Sequence, residues 1–353
     1  MGATRSQEAQ QHAPHADNGF FGPGSVTWRV WSYPSSLSTG FQRAVTIEQL
    51  DPNLIAAVDR SGGVRSRTHT RYDRTLRYFS MVAFGASEPA VRAADVLVRI
   101  HSKAIGIDPV TGGEYDANRP DSQLWIHMTA WHSILYCYER FGPGKLSPED
   151  EAAYWTECAI AAQLQTIDPE TVPSSREAVR AYFESWRPRM AASEAAQSMT
   201  AYILQTETSY PPNMSRLRRL LVIPVARLIG RGTVSTYPRH IRQLFGLRQS
   251  RLTDALVRWP LRWANGHLYR HPRHAVALLR FLSPSTVPIV APVLLGIPAV
   301  RDEAVTPREA QRRAGVDVPA EAHPEFRARQ RERVFTDGEA PSDAGLIESQ
   351  QHF

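Results

Sequence analysis

The sequence predicts an all-α protein, and three observations carry that expectation. Apolar residues recur at i, i+3, i+4 and i+7 over one segment after another. Helix-start signals precede several of these segments, and no series of alternating apolar and polar runs marks a sheet. A chain of 353 residues, 42% of them hydrophobic, buries a core large enough to stand without disulfides or a structural metal.

Taken in order, Gly22-Pro23-Gly24 marks an opening turn, and Ser25 to Trp31 after it fits either a strand or a helix start. Ala90 to Ile105 sets Ala94, Leu97, Val98, His101 and Ile105 on one stripe. Ser122 to Arg140 does the same with Leu124, His127, Trp131, Ile134, Leu135 and Tyr138. Ser147-Pro148-Glu149-Asp150 supplies an N-cap, a first-turn proline and an acid at the capping-box position, opening a helix to about Leu164. Ser174-Ser175-Arg176-Glu177 reads as a second capping box, with a helix through Trp186. Helical patterns return at Met214 to Ile229, Pro238 to Phe245 and His274 to Leu282.

Residues 1–19 are rich in Gln, Ala and His, and residues 301–353 are charged and poor in large apolar side chains, so both are expected as disordered tails around one folded domain over 20–300. The two cysteines, Cys137 and Cys158, fall inside helical apolar patterns and read as buried free thiols in a reducing compartment. Met1 to Asn18 has no apolar core of a signal peptide and no twin arginine, which points to the cytoplasm. Leu220 to Gly230 and Val287 to Val300 are apolar but broken by prolines, and both fall short of the roughly 20 residues that a spanning helix needs. Peripheral contact with a membrane stays open.

The net charge of +6 rests on arginine, because Lys103 and Lys145 are the only lysines; that bias fits a GC-rich bacterial genome. The arginines read as spread along the chain without a dense basic block, so no nucleic-acid partner is expected. The commoner catalytic signatures are missing: no Gly-x-Ser-x-Gly elbow, no phosphate-cradling glycine loop, no Cys-x-x-Cys and no Glu-x-x-His pair. His267, His271 and His274 are interrupted by Pro272 and flanked by arginines, as in a solvated basic segment.

Two histidines remain, His101 and His127, each on the apolar stripe of a core helix. A core histidine is ordinarily a satisfied polar group. A neutral imidazole in an apolar pocket is also what a haem iron takes as a proximal ligand, since burial disfavours the protonated form. On an earlier helix Arg71, Arg74, Thr75 and Tyr78 fall at i, i+3, i+4 and i+7, so one face offers two guanidinium groups, a hydroxyl and a phenol. That face suits haem propionates or a bound oxygen species, or else it is a solvated face that also carries Asp73.

The runs Arg71-Tyr72-Asp73-Arg74-Thr75, Val82-Ala83-Phe84-Gly85, Arg99-Ile100-His101-Ser102-Lys103-Ala104-Ile105-Gly106, Tyr115-Asp116-Ala117-Asn118 and Leu124-Trp125-Ile126-His127-Met128-Thr129 resemble, in order and spacing, the MpaB-type oxygenases, a family that includes the latex clearing (rubber oxygenase) proteins. The similarity extends from Gly22 to about Leu247, with Pro238-Arg239-His240-Ile241-Arg242 near its end. The resemblance implies a globin-like all-α core around haem b. It implies His101 as the axial iron ligand, with Arg71, Arg99 and Lys103 also at the cofactor. It further implies Arg71, Arg74, Thr75, His127 and Thr129 as catalytic residues, His127 being the competing ligand. The implied activity is an oxygenase that inserts O2 into, or cleaves a C=C bond of, a hydrophobic small molecule. A haem- or lipid-binding helical protein without turnover is the alternative.

Overall fold

The structure is a computed structural model, and it describes residues 12–55, 67–107, 112–212 and 214–339. Among them are sixteen α-helices and one two-stranded hairpin, so the fold is all-α as the periodicity predicts. The helices are α1 (Val26–Trp31), α2 (Phe41–Ile47), α3 (Thr68–Phe84) and α4 (Ser87–His101), then after the hairpin α5 (Pro120–Phe141), α6 (Pro148–Ala162), α7 (Arg176–Trp186) and α8 (Glu194–Leu204). There follow α9 (Arg216–Ser235), α10 (Arg239–Leu244), α11 (Arg251–Leu256) and α12 (Arg258–Arg270), and finally α13 (Pro272–Leu282), α14 (Val287–Leu295), α15 (Pro307–Ala314) and α16 (Pro319–Arg331).

Caps decide several boundaries. The ambiguous segment after Gly24 is a helix, because the Ser25 hydroxyl accepts the Trp28 N–H at 3.0 Å. Ser147 caps α6 as expected, accepting from the Asp150 N–H at 3.1 Å. The second capping box is shifted by one residue: Ser175, not Ser174, is the cap, and it accepts from the Ala178 N–H at 3.1 Å. The stripe expected to run to Ile105 ends at His101, where the Ser102 hydroxyl turns back onto the Arg99 carbonyl at 2.7 Å. Ile105 instead opens strand β1 (Ile105–Ile107), antiparallel to β2 (Glu114–Asp116) with Ile105 opposite Asp116. Gly106 lies flat under the Tyr115 ring, where a Cβ would come within 2.7 Å of the phenol oxygen.

α5 is the central beam. It packs against α1, α2, α12 and the π-helical turn Ser36–Gly40, and Gly40 lets that turn approach the Ile134 backbone, where a Cβ would sit 3.2 Å from its Cα. Trp131 at its middle meets Trp31 and Tyr154 edge-on or tilted, with ring centroids 5.2 and 5.0 Å away. Cys137 and Cys158 are buried free thiols. The apolar Val287 to Val300 stretch supplies core, with Ile289, Val290 and Ala291 of α14 buried, and no helix of the described residues is long and apolar enough to cross a membrane.

The described parts of the expected tails are structured, which corrects that expectation. Asp17 is buried and accepts from the Ser87 N–H, its hydroxyl and Arg301. α15 and α16 lie on α4, held by Arg99 to Asp317 at 2.8 Å, Arg327 to Asp116 at 2.9 Å and an ion pair from Arg331 to Glu114. Hydropathy misses these segments because they dock by ion pairs and small buried residues such as Ala310 instead of large apolar side chains.

Candidate active site

α3 is amphipathic, and Arg71 and Thr75, four residues apart, project from one face into a cavity of about 130 Å³. Glu48 faces them from the 3₁₀ turn Glu48–Leu50, and Gln42, Tyr72 and Tyr210 complete the polar and aromatic lining. The opposite wall is fixed by Gln42, whose amide donates to the Ile203 carbonyl at 2.8 Å and accepts from Thr233 at 2.7 Å. Glu48 is held through its backbone, since the Trp125 indole donates to its carbonyl at 3.2 Å and that indole stacks on Trp186 at 4.5 Å. Burial pushes the Glu48 carboxyl up to about 7 against the opposing pull of Arg71. It is a carboxylic acid that exchanges its proton near neutrality.

Arg71 also touches the environment of His101. The ring of His101 keeps some exposed surface, yet burial, and then the Arg71 cation, hold its pKa down to about 4, so it is neutral at pH 7. Among the described residues it makes no hydrogen bond. On the same α3 face the Tyr78 hydroxyl is buried without a hydrogen-bond partner among the described residues, and burial raises its pKa. Asp73, within the same run, turns elsewhere: it accepts from the Ser283 hydroxyl at 2.6 Å and pins α3 to the turn before α14. The structure thus brings Arg71, Thr75 and Glu48 to one cavity and sets Arg71 within electrostatic reach of His101, which does not line that cavity.

The other candidates lie apart from it. His127 is 2% exposed, donates from Nε2 to the Cys158 carbonyl at 2.8 Å and lies tilted on Trp131, which makes it a satisfied tie between α5 and α6. Burial holds it at about 4 as well. Arg99 is exposed and engaged by Asp95 and Asp317, and Lys103 points to solvent while its carbonyl accepts from Gln330. Arg74 shares the half-buried face of α3 but does not line the cavity.

Thr129 belongs to a second cavity of about 290 Å³ between α2, α5 and α7, and its hydroxyl donates to the Ile126 carbonyl of its own helix. That cavity holds a residue the sequence reading passed over. Arg43 is 4% exposed, donates to the Ser133 hydroxyl at 2.6 Å, stands over the Tyr136 ring at 5.0 Å and leaves its Nε without a partner among the described residues. His132 lies 3.3 Å from it and is kept neutral by burial and by that cation. An arginine at position 43 between Phe41, Ala44 and Ile47, on a stripe that is otherwise apolar, is the sequence signal that could have found it. Glu48 carries no such signal, because it lies in a turn without periodicity.

A family model described as ER-bound oxygenase mpaB/B'/Rubber oxygenase, catalytic domain, matches residues 28–266. The chain belongs to the mpaB/rubber oxygenase family. The family's catalytic domain therefore takes in the chain from within α1 to most of α12, including Glu48, Arg71, Thr75 and His101. No curated protein and no solved structure matches the chain. Among the described residues no cluster of three or more His, Cys, Asp or Glu forms a metal site.

Proposed function

We propose that this domain is a haem-b-dependent oxygenase that uses O2 on a hydrophobic small molecule, inserting oxygen or cleaving a C=C bond. The observation that carries the proposal is His101: a neutral imidazole without a hydrogen-bond partner among the described residues, next to a guanidinium, inside the catalytic domain of an oxygenase family. The donor set suits haem. One imidazole would serve as axial ligand, Arg71 and Arg74 on α3 suit the propionates, and the Tyr78 hydroxyl on that face has no partner among the described residues. When bound, haem would supply the O2-activating iron.

The chain's own residues supply the rest. Arg71 places a fixed positive charge where electron density accumulates during oxidation. Thr75 offers a hydroxyl that donates or accepts. Glu48, poised near neutrality, takes a proton from the substrate and returns it without a large free-energy step. The aromatic and aliphatic lining, Phe41, Tyr72, Ile229 and Leu282, favours an apolar substrate and excludes water. His127, tied to Cys158, is proposed to position α5 against α6 and not to bind iron, and Thr129 to shape the second cavity.

The test is an absorption spectrum of the purified full chain after haem reconstitution. A Soret band is expected in wild type and in His127→Gln, and its loss in His101→Ala. No Soret band in wild type, or equal bands in His101→Ala, overturns the proposal; a band without O2 uptake in the presence of hydrophobic alkenes reduces it to haem binding.

A further inference from the structure

The arginines expected to be evenly spread are not. Residues 214–283 hold fourteen arginines and one acid, Asp254, while the remainder of the chain holds 27 basic and 34 acidic residues. The molecule's net positive charge is therefore a property of α9 to α13. Among the described residues Asp254 is taken by Arg242 at 2.8 Å, and Arg251, Arg258 and Arg262 are exposed without a carboxylate partner.

The same helices expose large apolar side chains in register. On α9, Leu217, Leu220 and Leu221 are 69%, 67% and 68% exposed, at i, i+3 and i+4, with Val225 one turn on. α11 continues into α12 through Val257, whose backbone is helical, and Leu252, Leu256, Trp259 and Trp263 follow at i, i+4, i+7 and i+11 along this rod. Trp259 and Trp263 are 73% and 60% exposed, on the side opposite the buried Val257 and Leu261. A stripe with its apolar side turned outward and arginines along its flank is the pattern of an interfacial helix. Exposed indoles are the side chains that settle at the headgroup level of a bilayer.

We propose that the face formed by α9, α11 and α12 docks on a bilayer surface carrying anionic lipid. Charge decides between occupants. A second copy of the chain would set the arginines of this face against themselves, and a nucleic acid would satisfy the arginines but leave five leucines and a valine against phosphates. Anionic headgroups above an acyl layer satisfy both at once.

Docking has a consequence for the site, and this part rests on the oxygenase reading. An open cavity of about 490 Å³ is lined by Arg219 and Ile223 of α9 together with Thr68 and Tyr210, and the last two also line the Arg71–Glu48 cavity. α9 therefore carries the docking leucines on one side and a wall of this opening on the other, which ties access to the site to the helix that docks.

The experiment is sedimentation of the full chain with vesicles of phosphatidylcholine alone and of phosphatidylcholine with phosphatidylglycerol, alongside tryptophan emission. Binding to the anionic vesicles, weakened by salt and accompanied by a blue shift, is expected. Trp259→Ser/Trp263→Ser should weaken it by roughly tenfold or more, and Leu220→Ser/Leu221→Ser, on a separate helix, should weaken it too if the first pair fails to fold. His101→Ala should bind vesicles as wild type does, which separates docking from the haem reading. No preference for anionic vesicles, wild-type binding by both serine pairs, self-association that shields the same indoles, or displacement from vesicles by an oligonucleotide would each overturn the proposal.

Discussion

At the residue scale the most informative groups are titratable ones whose surroundings have moved them. Glu48 ionises near 4.5 when the chain is unfolded and near 7 when folded, so the folded state holds the proton more tightly. Its contribution to stability is complete below pH 4.5 and is lost as the pH rises through 7. Glu48→Gln should therefore stabilise the fold at pH 8 by roughly 2 kcal/mol and do nothing at pH 4, read from urea midpoints, while lowering turnover if the carboxyl handles a proton. Equal stabilisation at both pH values would show that the carboxyl is not held protonated. His101 and Glu48 also mark the limit of what the sequence discloses. The stripe on Ala94, Leu97 and Val98 reveals that His101 is inward, but only the chain's path reveals that Arg71 is its neighbour and that Glu48 stands across the cavity. Arg99 and Lys103 sit close to His101 in sequence, yet the helix turns Arg99 roughly 160° around its axis from His101 at about 100° per residue, and Lys103 lies beyond the helix end, so proximity along the chain is a poor guide to the site.

At the scale of elements, capping signals were legible to within a residue, and the error at 174–177 is instructive. Ser174 and Ser175 both satisfy the pattern, and the choice falls to Ser175 because its extended backbone, φ −144° and ψ 162°, aims its hydroxyl at the Ala178 N–H. Ser175→Ala should cost about 1 kcal/mol and Ser174→Ala only a few tenths, measured by thermal or urea unfolding. The reverse order would assign the cap to Ser174. The end of α4 is hidden from the sequence for a different reason: Ile105 continues an apolar stripe equally well as a helical residue or as an inward residue of β1, and periodicity has no means of telling these apart over one step.

At the scale of the whole molecule, the all-α class followed from the sequence because it depends on many segments agreeing. The extent of the folded part did not, because α15 and α16 adhere through charge and small side chains. Truncation after residue 300 would strip Asp317 from Arg99, Arg327 from Asp116 and Arg301 from the buried Asp17. The truncated chain should melt roughly 5 °C or more lower than the full chain. An unchanged melting point would show that these helices are ornaments to the domain. The cut would leave α3 and the Arg71–Glu48 cavity walls in place, since the last lining residue is Leu282.

The uneven distribution of charge makes the protein a macroscopic electric dipole as much as a cation. Outside residues 214–283 the molecule is a net anion, so a negatively charged surface pulls on one part and pushes on the other. Within about 10 Å of such a surface, where screening no longer erases the field, the result is a torque. If the face docks as proposed, the protein is turned before it touches, with α9, α11 and α12 leading.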